Sequence, residues 1–215
     1  MSEIFREVDE EVRKDRVLEL WKRYGRFVIG GAVGVVVATA AWQGWSAWSF
    51  ADRQADAARY LGGLELADAG RWDAAEAVFA ALAADSSAGY RDLAQLQRAS
   101  ALIASGDVDA GVRIYDEFAT GAGSDPAFRD LATVLAALAL LDTADQGEID
   151  GRLAPLLDGS GPWRFSALEL AGLAALRHGD EAVARTLFAR LTDDAETPQA
   201  MRARAAELLS ALGGA

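Results

Sequence analysis

Between Phe27 and Ala51 the chain carries no charged residue, and this run of 25 residues limits what its N-terminal part can become. Coiled as an α-helix at about 1.5 Å per residue it is roughly 37 Å long, enough to cross the ~30 Å hydrocarbon core of a bilayer. A single segment crosses only as a helix, because no water is present there to satisfy its backbone amides. The flanks fit this reading. Trp21, Lys22, Arg23, Tyr24 and Arg26 precede the apolar run, and Trp42, Trp45 and Trp48 close it. Such rings suit the two headgroup belts, and the Lys/Arg cluster marks the cytoplasmic side. The sequence therefore predicts a cytoplasmic tail over residues 1–26, a transmembrane helix over 27–48, and a domain over 52–215 outside the cytoplasm.

A secretory signal competes with the anchor, since Ala38-Thr39-Ala40 has the small-x-small form cut by signal peptidase, which would leave a soluble chain starting at Ala41. Against cleavage stand the long, acid-rich tail and the continuation of the apolar run past Ala40 into a Trp-rich stretch. Gly30, Gly34 and Ala38 share one helix face, where another membrane helix can approach closely, or they reflect the ordinary frequency of small residues in such helices. In the tail, Ile4, Val8 and Val12 recur at helical spacing beside Phe5. That pattern reads as a solvated juxtamembrane helix or as a docking element through which the tail reports on the external domain.

The formal charge is −12, yet residues 1–26 hold seven Lys/Arg against seven Asp/Glu, so all the excess negative charge lies beyond the apolar run. A domain so acidic repels phosphate backbones and anionic lipid heads, which excludes nucleic acid and points to protein partners. The chain has no cysteine and one histidine, His178. A thiolate nucleophile, a disulfide framework and a cysteine zinc site are thereby excluded. His178 stands beside a turn glycine at a predicted helix end, where an imidazole meets the helix dipole favourably. Asp142, Asp145, Asp193 and Asp194 lack calcium-loop spacing, the glycines at 121, 123, 159 and 161 lack the Lys-Ser/Thr of a phosphate loop, and Ser160 and Ser166 have no partner histidine. The expectation is a protein without catalytic residues, metal or cofactor.

Beyond Asp52 the composition is Ala, Leu, Arg, Glu and Asp, with apolar residues at spacings of three and four, as in Leu93, Leu96, Ala99 and Ile103. Three glycines, Gly70, Gly106 and Gly179, anchor one recurring pattern. Seven residues before each is a small residue (Gly63, Ala99, Gly172), five after is another (Ala75, Gly111, Ala184), and nine after is a ring (Phe79, Tyr115, Phe188). A looser copy between the second and third uses Ala137, Ala144 and Leu153, with Pro155 inside its second helix. Small residues let two antiparallel helices approach while a ring fills the gap to the next pair, so the pattern predicts stacked helix-turn-helix units. The fold class is all-α: one transmembrane helix, then a solenoid of about four units closed by a helix after Pro198 through Met201, Ala205, Leu208 and Leu212. Rings at the repeated position are expected in the core. Trp163, just after Gly161-Pro162, is open to either the core or a groove.

The spacings Gly63-x-x-Leu66…Ala75-x-x-x-Phe79 and Gly172…Ala184-x-x-x-Phe188 resemble the tetratricopeptide repeat, although the units run nearer 36 residues than 34. With the tail Ser2-Glu3-Ile4-Phe5-Arg6-Glu7-Val8-Asp9-Glu10-Glu11-Val12 and the span ending in Gly44-Trp45-x-x-Trp48, the whole layout resembles the YfgM-type family of ancillary SecYEG translocon subunits. That resemblance implies a bacterial inner-membrane protein with a periplasmic repeat domain that contacts the translocon, periplasmic chaperones and emerging substrates. It carries over no catalytic or ligand residues. A related repeat domain occurs in a cell-division coordinator family, so a division or envelope-assembly role stays open beside secretion.

Overall fold

The computed structural model of the chain describes the backbone of residues 2–213 and the side chains from Trp21 onward, save those of Val28, Ala32 and Ala88. The proposed amphipathic face of Ile4, Phe5, Val8 and Val12 lies outside the described side chains. Two units are distinguished, Met1–Gln54 and Ala55–Ala215. The first is part of α1 (Ser2–Asp68), a helix long and apolar enough to cross a membrane.

The second unit contains the last turns of α1 followed by α2 (Trp72–Asp85), α3 (Ala88–Ser105), α4 (Val108–Thr120), α5 (Pro126–Leu140), α6 (Gln146–Leu157), α7 (Arg164–Arg177), α8 (Glu181–Asp193) and α9 (Gln199–Ala211). These are the all-α helix pairs that the repeated spacing predicts: α1 with α2, α3 with α4, α5 with α6 and α7 with α8, then α9 alone. Each pair packs mainly on its neighbours in the chain, and the core is three successive clusters rather than one centre. This is the quasi-one-dimensional organisation of a solenoid.

The turns within pairs explain the glycines. Gly106 and Gly179 sit at φ 103° and 81°, a left-handed conformation that costs a side-chain-bearing residue energy. There the Asp107 N–H donates to the Leu102 carbonyl at 2.9 Å and the Asp180 N–H to that of Ala175 at 2.8 Å, which closes the preceding helix. The same aspartates open the next helix, accepting from the N–H groups of Ala110 and Val183, both at 3.1 Å. Asp145 does so for Glu148 at 2.9 Å in the third pair, whose turn has no glycine and closes through the Thr143 and Ala144 N–H groups on the Leu140 carbonyl.

Arg71 holds the equivalent place in the first pair, with φ −89° and ψ 65° against −88° and 68° at Asp107, but its side chain caps nothing. Arg71→Asp is therefore expected to stabilise the chain by about 1 kcal/mol through a cap that the backbone already accommodates. In a thermal melt this reads as a rise of roughly 2–4 °C. An unchanged or lower midpoint would show that the cap is not what the first turn lacks.

Where helices of a pair cross, space is the constraint. A Cβ on Gly63 would lie 2.6 Å from the Phe79 ring, and one on Gly172 would lie 2.6 Å from that of Phe188. Both rings are fully buried. In the second pair the small residue that matters is on the other helix: a Cβ on Gly111 would meet the Ala99 carbonyl oxygen at 2.6 Å and Ile103 Cγ1 at 2.5 Å. Tyr115 fills the ring position there, 2 % exposed. In the third pair Ala137 and Leu153 are fully buried and Ala144 is half-buried at the turn. Ala75, Ala99 and Ala184 are fully buried as well.

Candidate protein-binding face

The first helices of successive pairs come together while the second helices spread. The backbones of α3 and α5, α5 and α7, and α7 and α9 approach one another, whereas among the described residues those of α2, α4, α6 and α8 do not. Tyr60, near the end of α1, reaches Tyr90 of α3 with ring centroids 6.0 Å apart, which adds α1 to the inner series. Asp56 fixes that junction. It is 5 % exposed and accepts from the Ser87 N–H, at the start of α3, at 3.3 Å. The inner face is thus built from α1, α3, α5, α7 and α9.

Contacts between pairs hold this face in register. Both ends of α5 are tied to α7: Trp163 Nε1 donates to the Ala127 carbonyl at 2.7 Å, and Arg177 donates to that of Leu141. On the outer side Arg152 of α6 pairs with Asp116 of α4, which holds its guanidinium above the ordinary range. All three join residues 36 apart, the spacing of the first two turn glycines. Farther along, Arg164 ties the start of α7 to Asp194 at the end of α8 within the fourth pair at 2.6 Å, and Arg204 of α9 meets Glu169 of α7 at 2.8 Å. Burial pushes the Tyr115 hydroxyl above its usual range, with Ser100 pulling partly the other way, so the ring stays neutral in the core at physiological pH.

Trp163, open to core or groove on sequence grounds, is a staple. Its ring is half-buried against the C-terminal core cluster and its N–H is committed to α5. Two leucines of the inner helices, Leu61 and Leu138, carry no repeat signature, and their spacing does not mark them. Leu61 of α1 is 58 % exposed and Leu138 of α5 is 54 % exposed, and neither joins a core cluster. Leu138 belongs to the unbroken run Leu135–Leu141, where periodicity gives no sign of which residue faces out. His178 caps the C-terminal end of α7. Among the described residues no three His, Cys, Asp or Glu side chains gather as a metal site would require.

In the first unit the rings placed at the predicted belts, Trp21, Tyr24, Trp42, Trp45 and Trp48, are each at least 50 % exposed. Trp45 and Trp48 meet edge to face with centroids 5.9 Å apart, and Arg23 lies over the Tyr24 ring. Gly30, Gly34 and Ala38 are exposed, and nothing lies within 4 Å of a Cβ built on either glycine.

Stacked helix pairs with an ordered inner face define a helical-repeat scaffold, a class that binds other proteins. The family model of the tetratricopeptide repeat-like domain matches residues 19–210, and the chain belongs to that family. No curated protein and no solved structure matches it.

Proposed function

We propose that the chain is a membrane-anchored, non-enzymatic adaptor. Residues 27–48 span the bacterial inner membrane, residues 1–26 face the cytoplasm, and the array from residue 52 stands in the periplasm. There it binds proteins beside the SecYEG translocon and links it with periplasmic chaperones as polypeptides emerge. The observation that carries this reading is a protein-binding array on the same chain as an uncharged apolar helix with exposed rings at both ends. Tyr24 and Trp45 stand 21 residues apart, about 32 Å along a helix axis, which matches the hydrocarbon thickness. The resemblance of the tail and of Gly44-Trp45-x-x-Trp48 to YfgM-type subunits supplies the translocon and the chaperones as partners.

Topology and cleavage are tested together with a C-terminal tag. Protease added to spheroplasts is expected to digest the tag of a full-length, carbonate-resistant membrane product, and crosslinking in those membranes is expected to recover translocon subunits and a periplasmic chaperone. A protected tag would place the array in the cytoplasm and end the proposal. A soluble product starting at Ala41 would replace the anchor by a released periplasmic chaperone or a division or envelope coordinator. Membranes that yield no translocon component would remove the secretion role and leave the anchored scaffold.

A further inference from the structure

Lysine is absent from the chain beyond Lys22, so every cation of the array is an arginine. Among the described residues these arginines donate to carboxylates or carbonyls of the array itself, except Arg53, which donates to the Ser49 carbonyl one turn earlier in its own helix, and Arg71 and Arg113. Arg71 lies in the first turn and Arg113 on α4, so neither belongs to an inner helix. On the inner helices from residue 52 onward each described guanidinium donates at least one bond, as Arg59 does to Asp85, Arg98 to Glu76, Arg129 to the Gly121 carbonyl and Arg204 to Glu169. Asp/Glu outnumber Arg by twelve from residue 52 onward, the whole of the chain's net charge, so the field an approaching ligand meets is negative.

The inner face meanwhile offers apolar contact that the fold does not use. Leu61 on α1 and Leu138 on α5 are exposed, Leu93 on α3 is half-buried, and none of the three belongs to a core cluster. Neighbouring helices pack about 8–10 Å apart, so α1 to α5 is roughly 20 Å, the reach of some six residues of extended chain.

We infer that the inner face takes an apolar polypeptide segment flanked by lysine or arginine, and rejects segments whose flanks or free C-terminus are anionic. This rests on the protein-binding reading above and adds the chemistry of the ligand. A carboxylate is recognised by an open guanidinium fork or ammonium; among the described residues the inner helices of the array from residue 52 onward have no lysine, and each of their guanidinium groups already donates within the chain. Basic flanks instead stay in solvent within the net negative field of the array while the leucines cover the apolar centre. Flank recognition is then screened by salt, and apolar recognition is not.

The test uses the full chain in nanodiscs of zwitterionic lipid, with empty nanodiscs as reference, and three fluorescent peptides of one Leu/Ala core: lysine-flanked and amidated, glutamate-flanked and amidated, and unflanked with a free carboxylate. The lysine-flanked peptide is expected to bind at least tenfold more tightly than either other at low salt, the advantage shrinking several-fold at high salt. The double variant Leu61→Ser/Leu138→Ser, at two exposed positions, is expected to weaken that binding about tenfold with an unchanged melting midpoint. Arg113→Ser, on the outer side, is expected to leave it unaltered. Equal affinity for the three peptides, preference for an anionic one, binding to none, or indifference to the leucine substitutions would each overturn the inference. Failure of the protein-binding reading shows separately, as membranes in which crosslinking recovers no partner at all.

Discussion

Gly111→Ala is expected to destabilise the array by about 3 kcal/mol, although glycine to alanine inside a helix ordinarily stabilises by roughly 0.5–1 kcal/mol. The added Cβ would stand 2.6 Å from the Ala99 carbonyl oxygen, so α3 and α4 must part, and Val112 and Tyr115, both buried at that crossing, move with them. Gly63→Ala and Gly172→Ala meet an aromatic ring instead, 2.6 Å away in both cases, and are expected to cost about 1–3 kcal/mol. The difference in obstacle gives a difference in rescue. Phe79→Leu and Phe188→Leu remove the ring atoms in the way, so each is expected to offset most of the cost of its glycine partner, with a coupling of about 1–2 kcal/mol in a double-mutant cycle. Ile103→Ala is expected to rescue Gly111→Ala little, because the carbonyl remains. Thermal and urea unfolding of the full chain in detergent, followed by far-UV circular dichroism, reads these values. Three alanine variants all as stable as the parent would mean that the helix pairs have room to spare at their crossings.

Those glycines show how far the sequence could be read. The repeated offset from Gly63 to Phe79 and from Gly172 to Phe188 is visible because a small residue and a ring that touch across a helix pair must keep a fixed separation in the chain. The second pair keeps the spacing but moves the tightest contact: Ala99 holds the small position on α3, and Gly111 on α4 takes the close approach against its backbone. Nothing in a list of residue types tells which of two small residues lies at the crossing, since that depends on the angle between helices. Trp163 is ambiguous in the sequence for a related reason. Its N–H bond to the Ala127 carbonyl joins different pairs, and a backbone acceptor leaves no trace in residue identity. The arginine contacts between pairs were hidden in the same way, as many of their acceptors are carbonyls. Asp52 marks where charge begins and not where a helix ends: residues 45–61 contain neither glycine nor proline, and α1 runs to Asp68 before the Gly70 turn. Hydropathy locates a change of environment, whereas a helix stops only where its backbone is interrupted.

Deleting residues 199–215 is expected to cost the array about 4 kcal/mol. A solenoid ends stably only when its last apolar face is covered, and α9 supplies that cover for α7 and α8. Ala205 is 1 % exposed at the centre of the contact, with Met201, Leu208, Leu209 and Leu212 half-buried around it. Half-burial of four such side chains is worth roughly 3–6 kcal/mol by apolar area. Polar contacts matter less here. Arg204 is exposed and its pair with Glu169 is screened by solvent, so Arg204→Gln is expected to leave the melting midpoint nearly unchanged. The deletion is expected to lower the midpoint by about 10 °C. Because each pair is stabilised mainly by its neighbours, the damage is local: hydrogen exchange is expected to quicken first over residues 164–193 and to stay near its parent rate over 88–120. A truncated chain that melts with the parent would show that α9 is an appendage. A uniform rise in exchange along the array would show that the pairs fold as one cooperative block, with stability set by the whole stack and not by the cover at its end.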